Sequence, residues 1–157
     1  LNIKTGLGQD SHAFETRYEK PLIIGGVVIG NSKGLRGNSD ADVVLHSLTN
    51  AISSVTGINI IGNIADTLCK KGVTDSTEYL KLALKDLNGY SISHIAIAIE
   101  CLTPKIEPHI DDIKTNISKL TQISISDIGI TATTGEGLTE FGKGNGIQAL
   151  TIITVSK

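Results

Sequence analysis

The stretch ISHIAIAIE, Ile92 to Glu100, restricts the fold more than any other part of the chain. Ile95, Ile97 and Ile99 alternate with Ala96 and Ala98. A period of two belongs to an extended strand, whose successive side chains point to opposite faces. Burying an isoleucine is worth roughly 1.5–3 kcal/mol, so the isoleucine face must be covered by other apolar groups. The alanine face is small, and an uncovered sheet face of this kind invites self-association. The chain therefore needs a sheet that is covered on one side and free on the other.

The covering elements are visible in the pattern. SDADVVLHSLTNAISSV offers Ser39 and Asp40 as caps and reads as a helix ending near Gly57. DSTEYLKLALKDLNG has Asp75 as N-cap and Glu78 three residues on, the capping-box spacing. Its Leu80, Ala83, Leu84 and Leu87 share a face, and Gly89 supplies the stop. PHIDDIKTNISKL is a third helix, with Ile110, Ile113, Ile117 and Leu120 inward. Strands are expected over residues 2–8, 128–132 and 147–155, and a hairpin or bulged strand over LIIGGVVIG, residues 22–30. No linker, repeat or low-complexity tract interrupts this order. The fold class is α/β (α+β), a single-domain mixed β-sheet with helices on one face.

Composition narrows the function. Only 3% of the 157 residues are aromatic while 39% are hydrophobic, so the core must be built from Ile, Leu, Val and Ala. A net charge of −2 with scattered Lys and Arg gives no basic stripe, which argues against a nucleic-acid partner. No apolar run approaches the ~20 residues of a membrane helix. Cys69 and Cys101 lie far apart and form no CxxC, which suits a reducing compartment and plain apolar or pocket-lining thiols. The chain has no Met and starts at Leu1, which suggests that an initiator or leader has been removed; nothing in it resembles a signal or transit peptide.

GLGQDSHAF, Gly6 to Phe14, allows two chemistries. A dinucleotide fingerprint would need a third glycine where Ser11 stands, and no Walker loop occurs in the chain, so the glycine pair is a weak phosphate signal. Asp10 and His12 are two apart and project to one side of an extended segment. With His46 as third ligand they would make an open, catalytic type of zinc site, and Asp42, one helical turn before His46, could orient its other nitrogen. In the alternative, the two histidines are unrelated in space. TATTGEGLTEFGKGNGI, Thr131 to Ile147, offers hydroxyls, backbone N–H groups, Glu136 and Lys143 to a diphosphate and its divalent ion, or is a plain surface connection. Lys105, after Pro104, stands where a strand end could meet a phosphate.

Taken together, GLGQDSHAF, LIIGGVVI, SDADVVLH, DSTEYL, the TPK and PHI pair and ATTGEGL with GKGNGI resemble the 2-C-methyl-D-erythritol 2,4-cyclodiphosphate synthase family of the non-mevalonate isoprenoid pathway. The resemblance runs from about residue 3 to residue 155 and implies one such domain over residues 1–157. It implies Zn²⁺, or Mn²⁺ or Co²⁺, on Asp10, His12 and His46, and Mg²⁺ or Mn²⁺ on Glu136 with the substrate diphosphate. Catalysis would fall to Thr134, Asn38, Ser39 and Asp66. Substrate contacts would come from Asp10, His12, Asn38, Ser39, Gly62, Asp66 and Ser76. Others would come from Cys101, Thr103, Pro104, Lys105, Ile106, Ala132, Thr133, Thr134, Glu136 and Lys143. The substrate would be a small cytidine diphosphate compound, 4-diphosphocytidyl-2-C-methyl-D-erythritol 2-phosphate, closed to a cyclic diphosphate as CMP leaves. The assembly would be a homotrimer with its sites between subunits, in a bacterial cytoplasm or a plastid-type stroma.

The chain departs from the family pattern at five places. Asn38 replaces a histidine that stabilises the transition state, Ile60 replaces an acid, and Glu140 stands where Phe is usual. Ile64 to Leu68 replaces a longer, more acidic loop that grips the sugar hydroxyls, and Lys143 replaces an arginine. Two readings follow: a divergent cyclase, or a weakened relative that keeps the zinc- and CDP-binding trimer as a binding or structural protein.

Overall fold

A computed structural model describes residues 1–157. Six strands and four α-helices form in the order β1 (Ile3–Ala13), β2 (Pro21–Ile24), β3 (Val27–Lys33), α1 (Val43–Thr56), α2 (Asn63–Lys70), α3 (Ser76–Lys85), β4 (Ser91–Glu100), α4 (Ile110–Thr121), β5 (Ile128–Thr133) and β6 (Gly146–Ser156). The main sheet is mixed, in the order β1-β6-β4-β5, with β4 and β5 parallel and the other pairs antiparallel. Strands β2 and β3 form a separate hairpin. Its turn is Gly25-Gly26, with φ of 60° and 78°, the left-handed pair that a two-residue hairpin turn requires.

The alternation in β4 has the expected outcome. Ile95, Ile97 and Ile99 are buried under the helices, within a cluster of 29 buried hydrophobic residues that is almost wholly aliphatic. Helix α1 lies across β1 and β6, with Val44, Leu45, Leu48, Ala51 and Ile52 completely buried. It can lie that close because β1 presents Gly6 and Gly8 to it. A Cβ on Gly8 would stand 2.0 Å from the Ser47 carbonyl oxygen, and one on Gly6 2.1 Å from that of Ala51. The early glycines therefore serve helix packing and form no phosphate loop.

The start of α1 corrects the sequence reading, because its N-cap is Asp42 rather than Ser39 or Asp40. Asp42 is fully buried, and its carboxylate accepts from the N–H groups of Gly25, Gly26, Val44 and Leu45. It thus joins the hairpin turn to the helix. The other sheet face is open. Leu7, Ile152 and Leu150 are 60, 46 and 40% exposed there, in register with Ala96 and Ala98. No helix is long and apolar enough to cross a membrane.

Candidate active site and metal centre

The strand period delivers Asp10 and His12 to the same face at the end of β1, and the first turn of α1 delivers His46. Asp10 Oδ2 lies 3.1 Å from His12 Nε2 and 3.1 Å from His46 Nδ1. Single ligand atoms of the three residues all fall within 4.8 Å of one another. One carboxylate and two imidazoles at this spacing suit a divalent transition metal with a position left open. That side opens on a cavity of about 280 Å³ lined by Asp10, His12, Gly37, Asn38, Ser39, His46, Ile61, Gly62, Ala65, Asp66, Cys69 and Tyr79. Burial works against ionising Asp10, but the two imidazoles beside it outweigh this and hold its carboxyl below the usual range. The hydrogen bond to Asp10 raises His12 above the ordinary histidine value despite partial burial.

The second nitrogen of His46 is not oriented by Asp42, whose oxygens are engaged by the helix cap and the hairpin turn. Ser76 takes that place, with Oγ 2.7 Å from His46 Nε2. Ser76 is completely buried and does not line the cavity. Around the mouth, backbone carbonyls are tied outward. Lys20 Nζ donates to Gly37 and Ser39, and Cys69 Sγ donates to Asn38.

The altered loop folds as helix α2, which reading along the chain did not find. Its N-cap is Gly62, which offers no capping side chain, so the usual start signal is missing. One turn in, Asp66 faces the cavity, while Leu68 packs against the core and Ile60 is only 3% exposed. Two of the family's acidic positions are therefore apolar packing positions in this chain. Ile61, Ala65, Cys69 and Tyr79 are lining residues that no motif singled out.

The remaining expected residues gather elsewhere. Cys101 and Thr103 to Ile106 follow β4, while Ala132 and Thr133 end β5 and Thr134 and Glu136 lie just beyond it. Cys101 and Ile106 are buried, and burial pushes the Cys101 thiol up to about 12, which leaves it unreactive at neutral pH. Thr103, Lys105, Thr133, Thr134 and Glu136 are exposed. Glu136 has a φ of 50°, and its N–H is held by Thr134 Oγ1. Lys143 pairs with Glu140 at 3.3 Å on the surface. Strand β1 is one edge of the sheet and β5 is the other, so one chain carries the two clusters on opposite edges.

This sheet, its covering helices and its Asp/His/His centre place the chain among known proteins. It belongs to the YgbB family, whose family model matches residues 3–156. It is 46% identical over 155 residues to 2-C-methyl-D-erythritol 2,4-cyclodiphosphate synthase of Chlamydia felis, covering 97% of this chain and 88% of that one. Solved structures agree. The bifunctional IspDF of Campylobacter jejuni matches 98% of this chain with a TM-score of 0.89 at 32% identity, and this chain spans 42% of that longer protein. The CDP complex of Plasmodium falciparum IspF matches with a TM-score of 0.82 at 29% identity, over 98% of this chain and 95% of that one.

Proposed function

We propose that the chain, as one domain over residues 1–157, is a 2-C-methyl-D-erythritol 2,4-cyclodiphosphate synthase. It converts 4-diphosphocytidyl-2-C-methyl-D-erythritol 2-phosphate to the cyclic diphosphate, acting as a phosphorus–oxygen lyase. The observation that carries this reading is the convergence of Asp10, His12 and His46 on one cavity with Asn38, Ser39 and Asp66. Relatives with nearly the same span carry that activity in their names.

An oxygen of the 2-phosphate attacks the β-phosphorus, the bond from that phosphorus to the bridging oxygen breaks, and CMP departs with it. Such a transfer needs alignment and neutralised charge more than acid–base chemistry. Zn²⁺, Mn²⁺ or Co²⁺ on Asp10, His12 and His46 would supply Lewis-acid polarisation of a phosphoryl oxygen. Asn38 and Ser39 donate to phosphate oxygens, and Asp66 accepts from the sugar hydroxyls. Gly62 leaves room at the helix start for the sugar. The cytidine and its diphosphate lie along Cys101–Ile106 and Ala132–Thr134, where the Thr134 hydroxyl donates to the developing charge. Lys105 and Lys143 balance the phosphates, and Glu136 would hold a Mg²⁺ or Mn²⁺ ion that neutralises the diphosphate.

Opposite sheet edges cannot form one site within a subunit. A homotrimer joined through the open sheet face brings the β5 edge of one subunit to the β1 edge of the next. Phosphorus NMR of protein, substrate, Zn²⁺ and Mg²⁺ tests the reading. Cyclic diphosphate and CMP should appear together and vanish with chelator; CDP binding without turnover would instead mark a binding protein.

A further inference from the structure

Ser76 lies two elements away from the metal ligands, yet it is completely buried against one of them. A serine hydroxyl has a single proton to give. Asp40 can only accept, and its Oδ1 takes that proton, while its Oδ2 accepts the Ser76 N–H at 3.0 Å. A further N–H, from Asp42, fixes Asp40 Oδ1 at 3.1 Å. With its proton committed, Ser76 Oγ faces His46 Nε2 at 2.7 Å as an acceptor, so Nε2 carries a hydrogen. His46 Nδ1 then presents its lone pair to Asp10 Oδ2 across 3.1 Å. Between two acceptors only a cation fits, a proton or a metal ion.

From this chain of contacts we infer that Asp40 and Ser76 fix which ring nitrogen of His46 carries the hydrogen and so aim its Nδ1 lone pair at the metal position. Ser76 is a positioning residue and not a phosphate contact. Were the Ser76 hydroxyl free to turn, it could donate to Nε2, and the imidazole proton would move to Nδ1, where it would compete with the metal. The inference rests on the metal-centre reading above and adds to it the group that makes the histidine a ligand.

The test is zinc affinity by equilibrium dialysis of the full chain, in wild type, Ser76→Ala and Ser76→Thr. Losing an outer partner of this kind weakens metal binding about 10- to 100-fold. Ser76→Ala should show that loss, with turnover recovering in excess zinc, and Ser76→Thr should restore affinity. Wild-type zinc affinity in Ser76→Ala, with a raised KM at saturating zinc, would overturn the inference in favour of a phosphate contact. Should Ser76→Ala not fold, proton NMR of the zinc-loaded wild type decides, because it should show a solvent-protected Nε2–H on His46 and absence of that signal rejects the relay. A wild type that takes up no zinc at all would sink the metal centre itself, a result distinct from either.

Discussion

Three side chains, Asp10, His12 and His46, stand together as a group that could hold a metal ion, and the proposed role of each is open to test. His12→Ala or His46→Ala removes one of the three proposed ligands that line the cavity while leaving the sheet intact. Both variants should lose stoichiometric zinc, measured by metal analysis after dialysis, and turnover with it, with little change in circular dichroism. Asn38 gives a subtler test. It can donate a hydrogen bond but carries no charge, and losing a preorganised donor in other enzymes costs ~3 kcal/mol of transition-state stabilisation. Asn38→His should raise turnover, and a fall in rate would mean the cavity is built around the amide. The Asp10/His12 pairing was legible because strand alternation alone puts both on one face. The partner of His46 was not. Helical spacing pointed to Asp42, but a buried carboxylate at a helix start is claimed by backbone N–H groups, and the true neighbour comes from another helix.

At the scale of elements, the contact between β1 and α1 sets the distance from Asp10 to His46. Gly8→Ala would drive a methyl group into the Ser47 carbonyl. The helix must then retreat, at about 3 kcal/mol in stability, and carry His46 away from the other ligands. Chemical denaturation should show the loss, and zinc affinity should fall in step. Sequence periodicity found α1, α3 and α4 because each has a strong apolar stripe or a capping residue. It placed the end of β1 too early, at Gly8, because polar residues with little core to face continue the strand to Ala13. It missed α2, which has Ala65 as its one buried residue and begins without a capping side chain. Ala65 and Leu68, with Ile61 just ahead of the helix, do share its core side, but the stripe is only two turns long, and a helix so short takes its stability from tertiary contacts.

For the whole molecule, the open sheet face is the decisive feature. Leu7→Glu places a charge beside Ile152 on that face. Sedimentation should show dissociation to monomers, and turnover should disappear while the Asp10, His12 and His46 centre still takes up metal. The open face was legible in the bare alternation of β4; the proposal of three copies rests on the family resemblance. Because β1 and β5 are opposite edges, such a ring joins unlike edges at each contact. Genetics then offers a consequence. A His46→Ala chain lacks one half of the site and a Thr134→Ala chain the other, so rings of either kind alone should be inactive. Co-expressed, they should complement, because every mixed ring has one contact where a sound β1 edge meets a sound β5 edge. Silence from the mixed population, with mixed rings shown by mass, would mean that the halves never meet across subunits.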